Sequence, residues 1–227
     1  MKPMNKTTTK ALVAVGAMIC YAAFAFFTDD AEAKRNKNKG QRQEQREHVA
    51  GTFDYYVLAL SWSPAFCASQ SEGAHPQQCG AGRRFSFVVH GLWPQYNKGW
   101  PQDCATSHST SVHPDLVFDN LDMMPSTKLI THEWEKHGTC SGLSPAQYFE
   151  TARTAKDSIA IPPEYQSPTS YITTSPTELK QKILALNPQL NDASIAVTCK
   201  DRTLQELRVC MDKNLKPMAC GVNERRQ

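Results

Sequence analysis

Eight cysteines in a chain of 227 residues limit what it can fold into more than any other feature. None forms a CxxC pair, so zinc-ribbon and thioredoxin-type frameworks have little support; disulfide staples in an oxidising compartment are the natural alternative. The N-terminus agrees. Lys2, Lys6 and Lys10 precede an uncharged, mostly apolar run from Ala11 to Phe27, and Ala31-Glu32-Ala33 follows as a small-x-small cleavage site. This is the pattern of a secretory signal peptide over residues 1–33, with an uncleaved membrane anchor as the alternative. Cys20 lies inside the apolar run, so cleavage after Ala33 leaves seven cysteines. An odd number means that one thiol is free or paired between chains. The expected location is secreted or periplasmic, off the membrane once the signal is cut.

Charge narrows the partners. The formal net charge is +3, too small for a whole-chain field that would capture polyanions. Six Lys or Arg against two Glu fall within residues 34–47, so residues 34–50 read as a basic, disordered leader. It is either plainly solvated or a weak contact to nucleic acid or another anionic surface. Residues 51–227 are close to neutral, and an anion site there must be built locally. With 40% apolar residues overall, that stretch is long enough for one domain with a real core.

Phe53 to Leu60 is rich in strand formers and Phe85 to His90 reads as a second strand, ended by Gly91 and Pro94. Residues 95–114 lack periodicity and read as loop. Ser126 caps an expected helix from Thr127 to about Lys136, stopped at Gly138. Ser144-Pro145-Ala146-Gln147 is a capping box opening a helix to about Ile159, and Ser175-Pro176-Thr177-Glu178 repeats it before a helix to Leu186. Residues 161–176 carry four prolines and read as loop. Ile195–Thr198 and Leu204–Met211 form the arms of an expected hairpin. Strands and helices are mixed without a βαβ rhythm, which predicts an α+β single domain.

Seven histidines are candidates for chemistry. His48, His75, His108 and His113 lie in polar loops. His90 closes an apolar strand. His132 and His137 share one helix with Glu133 and Lys136, and helical geometry places these four within an arc of about 140°. Ile130 and Trp134 flank the arc and anchor the helix to a core. A solvated helix face could carry the same residues. His132-Glu133 begins like the zinc-protease pattern HExxH, but Lys136 occupies the second ligand position and would oppose a metal cation. Two imidazoles can act as acid and base in one reaction, and a lysine can meet a phosphoryl oxygen. No Mg²⁺ carboxylate cluster or Gly-rich phosphate loop accompanies them. That set suits metal-free phosphoryl transfer on RNA, whose 2′-OH supplies the nucleophile. DNA lacks it.

Phe87-Val88-Val89-His90-Gly91-Leu92-Trp93-Pro94 and His132-Glu133-Trp134-Glu135-Lys136-His137-Gly138-Thr139-Cys140 resemble the two catalytic segments of the ribonuclease T2 family. Tyr56–Cys67 resembles the family's first strand and turn, and Leu204–Cys210 its late strand. The resemblance implies a central, mainly antiparallel sheet packed by helices and stapled by disulfides, with residues 51–227 as the catalytic domain. It implies a monomeric endoribonuclease acting on single-stranded RNA without metal or cofactor. His90 matches the general acid, His137 the general base and His132 the phosphate-binding histidine. Glu133 and Lys136 match the pair that stabilises the pentacovalent intermediate. Trp93 matches an aromatic on which a base stacks. Gln95, an amide with both donor and acceptor, stands where many relatives carry an aspartate that helps read a base; stacking on Trp93 tolerates any base, and low base specificity is expected. Tyr96 or Trp100 would supply a second stacking surface. The resemblance also implies pairs Cys67–Cys79, Cys104–Cys140 and Cys199–Cys210, leaving Cys220 as the odd thiol. A non-catalytic RNA-binding or toxin-like protein is the rival reading; the presence of all five ionisable positions argues against it.

Overall fold

The computed structural model describes residues 48–225, so the expected signal peptide and residues 34–47 of the leader lie outside the described residues. A strand with apolar side chains on both faces needs cover on both, and β1 (Tyr55–Trp62) receives it at the middle of the fold. In chain order it is followed by α1 (Ser63–Ala68), α2 (Pro76–Cys79), β2 (Phe87–Gln95), α3 (Pro114–Phe118) and α4 (Thr127–Lys136). Then come α5 (Pro145–Asp157), α6 (Pro176–Leu186), β3 (Ile195–Lys200), β4 (Thr203–Met211) and α7 (Val222–Arg225). The strands form one antiparallel sheet in the order β2-β1-β4-β3. The α+β, helix-packed expectation holds.

Alternation divides the sheet. Tyr56, Leu58, Leu60 and Trp62 of β1 join Leu207, Val209 and Met211 of β4 on the face covered by α4, α5 and α6. Ile130 and Trp134, Tyr148 and Phe149, Leu179 and Ile183 are the buried residues those helices contribute. Each fully buried large side chain contributes about 1.5–3 kcal/mol relative to exposure, so this face dominates the stability. The opposite face carries a small cluster of Tyr55, Val57, Cys210 and Cys220, with Trp93 against it, and becomes polar toward Ser61, Glu206 and Arg208.

Ser126, Ser144 and Ser175 cap α4, α5 and α6 through their side chains, as their local sequences predict. β2, however, does not end at His90; it runs through Gly91 and Pro94 to Gln95. β2 is an edge strand, where proline's missing N–H need not break the ladder. Likewise β1 continues through Ser61-Trp62, and Pro64 instead opens α1. α1, α2 and α3 went unread because helices of six, four and five residues are too short to show a period.

Cys67–Cys79 and Cys104–Cys140 are bonded as the resemblance implies. The third pair is a correction: Cys210 bonds Cys220, and Cys199 is free and exposed. Register decides it. Cys199 faces Leu204 near the tip of the β3–β4 hairpin, and Cys210 lies six residues further along β4, about 20 Å at strand rise. A disulfide needs Cα atoms within about 7 Å. Beyond β4 the chain turns back, Met211 bridging Pro217 and the Met218 N–H donating to the Cys210 carbonyl at 3.0 Å, which brings Cys220 alongside. Thiol titration of the denatured, unreduced protein, cleaved after Ala33, should therefore find one thiol, at Cys199. Cys199→Ser should change stability by less than about 0.5 kcal/mol. A thiol mapping to Cys220 would contradict the pairing.

Candidate active site

A β-bulge aims the first candidate segment. Ala59 pairs with Gly91 and Leu60 with Val89, so His90 is the extra residue with no partner on β1. The bulge shifts the alternation by one place. Before it, Val89 faces the helices and Val88 the cleft; after it, Leu92 faces the helices and Trp93 the cleft. His90 and Trp93, three residues apart, thus meet edge to face with ring centroids 5.1 Å apart. Residues three apart on a regular strand point to opposite faces. Glycine follows His90 for want of room: a Cβ on Gly91 would lie 2.1 Å from Glu133 Oε2 and 2.2 Å from Trp93 Nε1.

The second segment comes from α4 and its C-cap. Ile130 and Trp134 bury as expected, and the Trp134 indole N–H donates to the Ser109 carbonyl at 3.0 Å. The solvated-face alternative fails for two of the four polar residues. Glu133 is 1% exposed and His137, the C-cap residue, 9%. Glu133 sits against β2, its Oε2 accepting from the Trp93 indole N–H at 2.7 Å and its Oε1 3.7 Å from His90 Nε2. The Trp93 ring also lies against His137, at 5.5 Å between centroids, so it touches both imidazoles. Lys136 is half-buried, and its carbonyl accepts from the Asp103 N–H at 2.8 Å beside the Cys104–Cys140 bridge. His132 is exposed and lines a cleft of 330 Å³ together with His90, His75, Lys128 and Phe66.

The electrostatics separate the two imidazoles. Burial, then the Lys136 charge and the neighbouring His132 and His90, push His137 down to about 3. Its Nδ1 is buried without a hydrogen-bond partner, tolerable for a neutral ring and costly for a charged one. Burial also works against charging His90, but there a hydrogen bond to Glu206 and the charges of Glu133 and Glu206 outweigh it and raise the ring above its ordinary value. Burial pushes the Glu133 carboxyl up to about 7, against the pull of His90, Trp93 and Lys136. Burial raises Glu206 as well, yet His90 and Arg208 overcome it and bring that carboxyl to about 2. At neutral pH the site thus holds a neutral His137 beside a His90 that keeps its proton more firmly than a free imidazole and a Glu133 carboxyl raised toward neutrality.

The model of the ribonuclease T2 family matches residues 53–220. The chain belongs to the ribonuclease T2 family. A ribonuclease of Aeromonas hydrophila is 45% identical over 108 residues, 48% of this chain and 47% of that protein. A probable ribonuclease of Haemophilus influenzae is 34% identical over 205 residues, 82% of this chain and 65% of that protein. The chain therefore spans about half the length of the first and less than two thirds of the second. Among solved structures, the RNase-related protein from Calystegia sepium superposes with a TM-score of 0.60 at 23% identity, over 74% of this chain and 91% of that one, a likeness of fold.

Within this ribonuclease T2 fold the four base-binding candidates are placed unevenly. Trp93 is at the centre of the site. Gln95 is buried, and its Oε1 accepts from Asn223 at 3.1 Å, which engages it with α7. Tyr96 is half-buried against the helix-covered core, and Trp100 is 49% exposed with its indole N–H on Gln102. The structure also brings in Glu206 and Arg208 of β4, to which the sequence assigned no role. Their signal was available in part: two charged residues two apart, and so on one face of a strand that ends in an apolar run. Among the described residues no group of three or more His, Cys, Asp or Glu side chains is arranged to hold a metal ion. Nor is any described helix long and apolar enough to cross a membrane.

Proposed function

We propose that the chain is a monomeric endoribonuclease that cleaves single-stranded RNA by transphosphorylation, with low base specificity. The observation that carries this reading is the pair of imidazoles held against Trp93 in opposite surroundings, His90 on the Glu206 carboxylate and His137 buried with its Nδ1 unpartnered. Paired titratable groups driven apart by their surroundings mark an acid and a base. His137, neutral, takes the proton from the 2′-OH, and the 2′-oxygen attacks phosphorus. The bond to O5′ breaks and His90 gives its proton to that oxygen, leaving a 2′,3′-cyclic phosphate and a 5′-OH. In the second step the roles reverse: His90 takes a proton from water, whose oxygen attacks phosphorus, and His137 protonates the departing 2′-oxygen to leave a 3′-phosphate. An arriving phosphate monoanion favours the charged form of His137, which lets the ring accept its proton. Lys136 offers its cation, and Glu133 in its protonated form a hydrogen bond, to the oxygens of the phosphorane. His132, at the mouth of the cleft, binds phosphate. The exposed part of Trp93 stacks a base, a contact tolerant of base identity. Gln95, Tyr96 and Trp100 complete the base site. The enzyme acts after signal cleavage at Ala33, secreted or in the periplasm and off the membrane, and needs no metal or cofactor.

The test is an oligonucleotide assay. A single-stranded RNA should be cut to cyclic-phosphate ends in the presence of EDTA, and the matched DNA should stay intact. Cut DNA, or RNA cleavage abolished by the chelator, would overturn the mechanism.

A further inference from the structure

We propose that Glu206, steered by Arg208, is the positioning residue of His90: it accepts the Nδ1 hydrogen and so presents Nε2 to the reacting phosphoryl group. The proposal rests on the acid/base reading above. Glu206 Oε1 lies 2.5 Å from His90 Nδ1. Its other oxygen is taken by Arg208, at 2.9 Å from Nε and 2.8 Å from Nη2, so the carboxylate is gripped on both sides. Arg208 lies over the Trp93 ring at 5.2 Å, the Trp93 N–H donates to Glu133, and Glu133 returns to within 3.7 Å of His90 Nε2. Five side chains from β2, α4 and β4 thereby close a ring of contacts around one imidazole.

Sheet register explains how residues 116 positions apart meet. β1 separates β2 from β4, and across its width the two strands are about 9.6 Å apart. On this face β1 carries Ala59 and Ser61, which pair with Arg208 and Glu206 on one side and Gly91 and Val88 on the other. Such small side chains leave space above the central strand. The bulge turns His90 into that space, where Glu206 meets it.

An imidazole whose Nδ1–H points at a carboxylate has only Nε2 left for proton transfer. The same carboxylate favours the imidazolium that must protonate O5′. The charged or titratable groups around His90 are Glu206 and Arg208 from β4, Glu133, Lys128 and His132 from α4, His137 at the C-cap of α4, and His75 from the Cys67–Cys79 loop. Of these, Glu206 is within hydrogen-bond distance.

Glu206→Gln tests the role, because it keeps the shape and an acceptor oxygen but removes the charge. The His90 ring, followed by NMR, should titrate about one pH unit lower, a tenfold change in its proton equilibrium. RNA cyclisation should lose about tenfold in kcat with KM within about twofold of the parent. The alkaline limb of the cyclisation profile, where His90 must be protonated, should move down. So should the acid limb of cyclic-phosphate hydrolysis, where His90 must be neutral. A merely structural lesion would lower rates without moving either limb. Glu206→Asp, retaining the charge, should move the titration less than Glu206→Gln. An unshifted His90 titration in folded Glu206→Gln overturns the proposal, as does a Glu206→Asp titration moved as far as that of Glu206→Gln. The titration needs no turnover, so a parent protein inactive on RNA would defeat the acid/base reading while leaving the contact to be judged on its own.

Discussion

Alanine at His90 or at His137 should cut RNA turnover by at least about 100-fold in each case, the usual contribution of a positioned proton-transfer group. The two variants should differ in everything else. His90 is half exposed at the cleft and its loss leaves space open to solvent. His137 is buried against Trp93, so its truncation leaves a hole and should lower the melting temperature more. Both should also fail on a 2′,3′-cyclic nucleotide, because in the proposed mechanism each histidine serves the second step with its role reversed. Steady-state kinetics on an oligoribonucleotide and on the cyclic nucleotide, beside thermal melts, check this. Near-parental turnover by either variant would show that the proton passes elsewhere.

Loss of the Cys104–Cys140 bridge should cost about 2–5 kcal/mol, as native disulfides do in small secreted domains. It spans 36 residues and closes a loop that contains the whole of α4. It also sits where three segments are tied together: the Asp103 N–H donates to the Lys136 carbonyl, and the Gly51 N–H to that of Cys140 at 2.9 Å. Cys140→Ser should therefore loosen the helix end that carries Lys136 and His137, and turnover should fall along with the urea midpoint. A variant with an unchanged midpoint would mean that these backbone bonds hold the helix end without the bridge.

What could be read from the sequence follows how local each feature is. The caps at Ser126, Ser144 and Ser175 are recorded within four residues and emerged as expected. So did the burial of Ile130 and Trp134, which helical spacing alone sets. The family was legible because each of the two segments that carry the resemblance is a short run with a distinctive order of residue types. The pairing of Cys210 was not, because it depends on hairpin register and on a return of the chain after Met211. The contact of Glu206 with His90 was not legible either, since it requires knowing that β4 lies one strand away from β2 and that the strand between presents Ala59 and Ser61. Gly91 and Pro94 misled for the same reason. Read locally they are strand breakers; on a bulged edge strand they are tolerated, and Gly91 is required by Glu133.

The extra residue at His90 makes β2 intolerant of a change in length. On a regular edge strand, losing one residue at an end merely shortens it. Deleting His90 itself would restore plain alternation and leave Leu92 and Trp93 on their present faces, at the cost of the imidazole; deleting one residue past the bulge, such as Leu92, would exchange the two faces of everything beyond it. In that case Trp93 would swing into the helix-packed core, where its N–H would leave Glu133 behind. Any lineage that keeps this site is thus confined to substitutions along β2, while insertions and deletions are left to loops such as Ile161–Ser175, which carry no part of the phase.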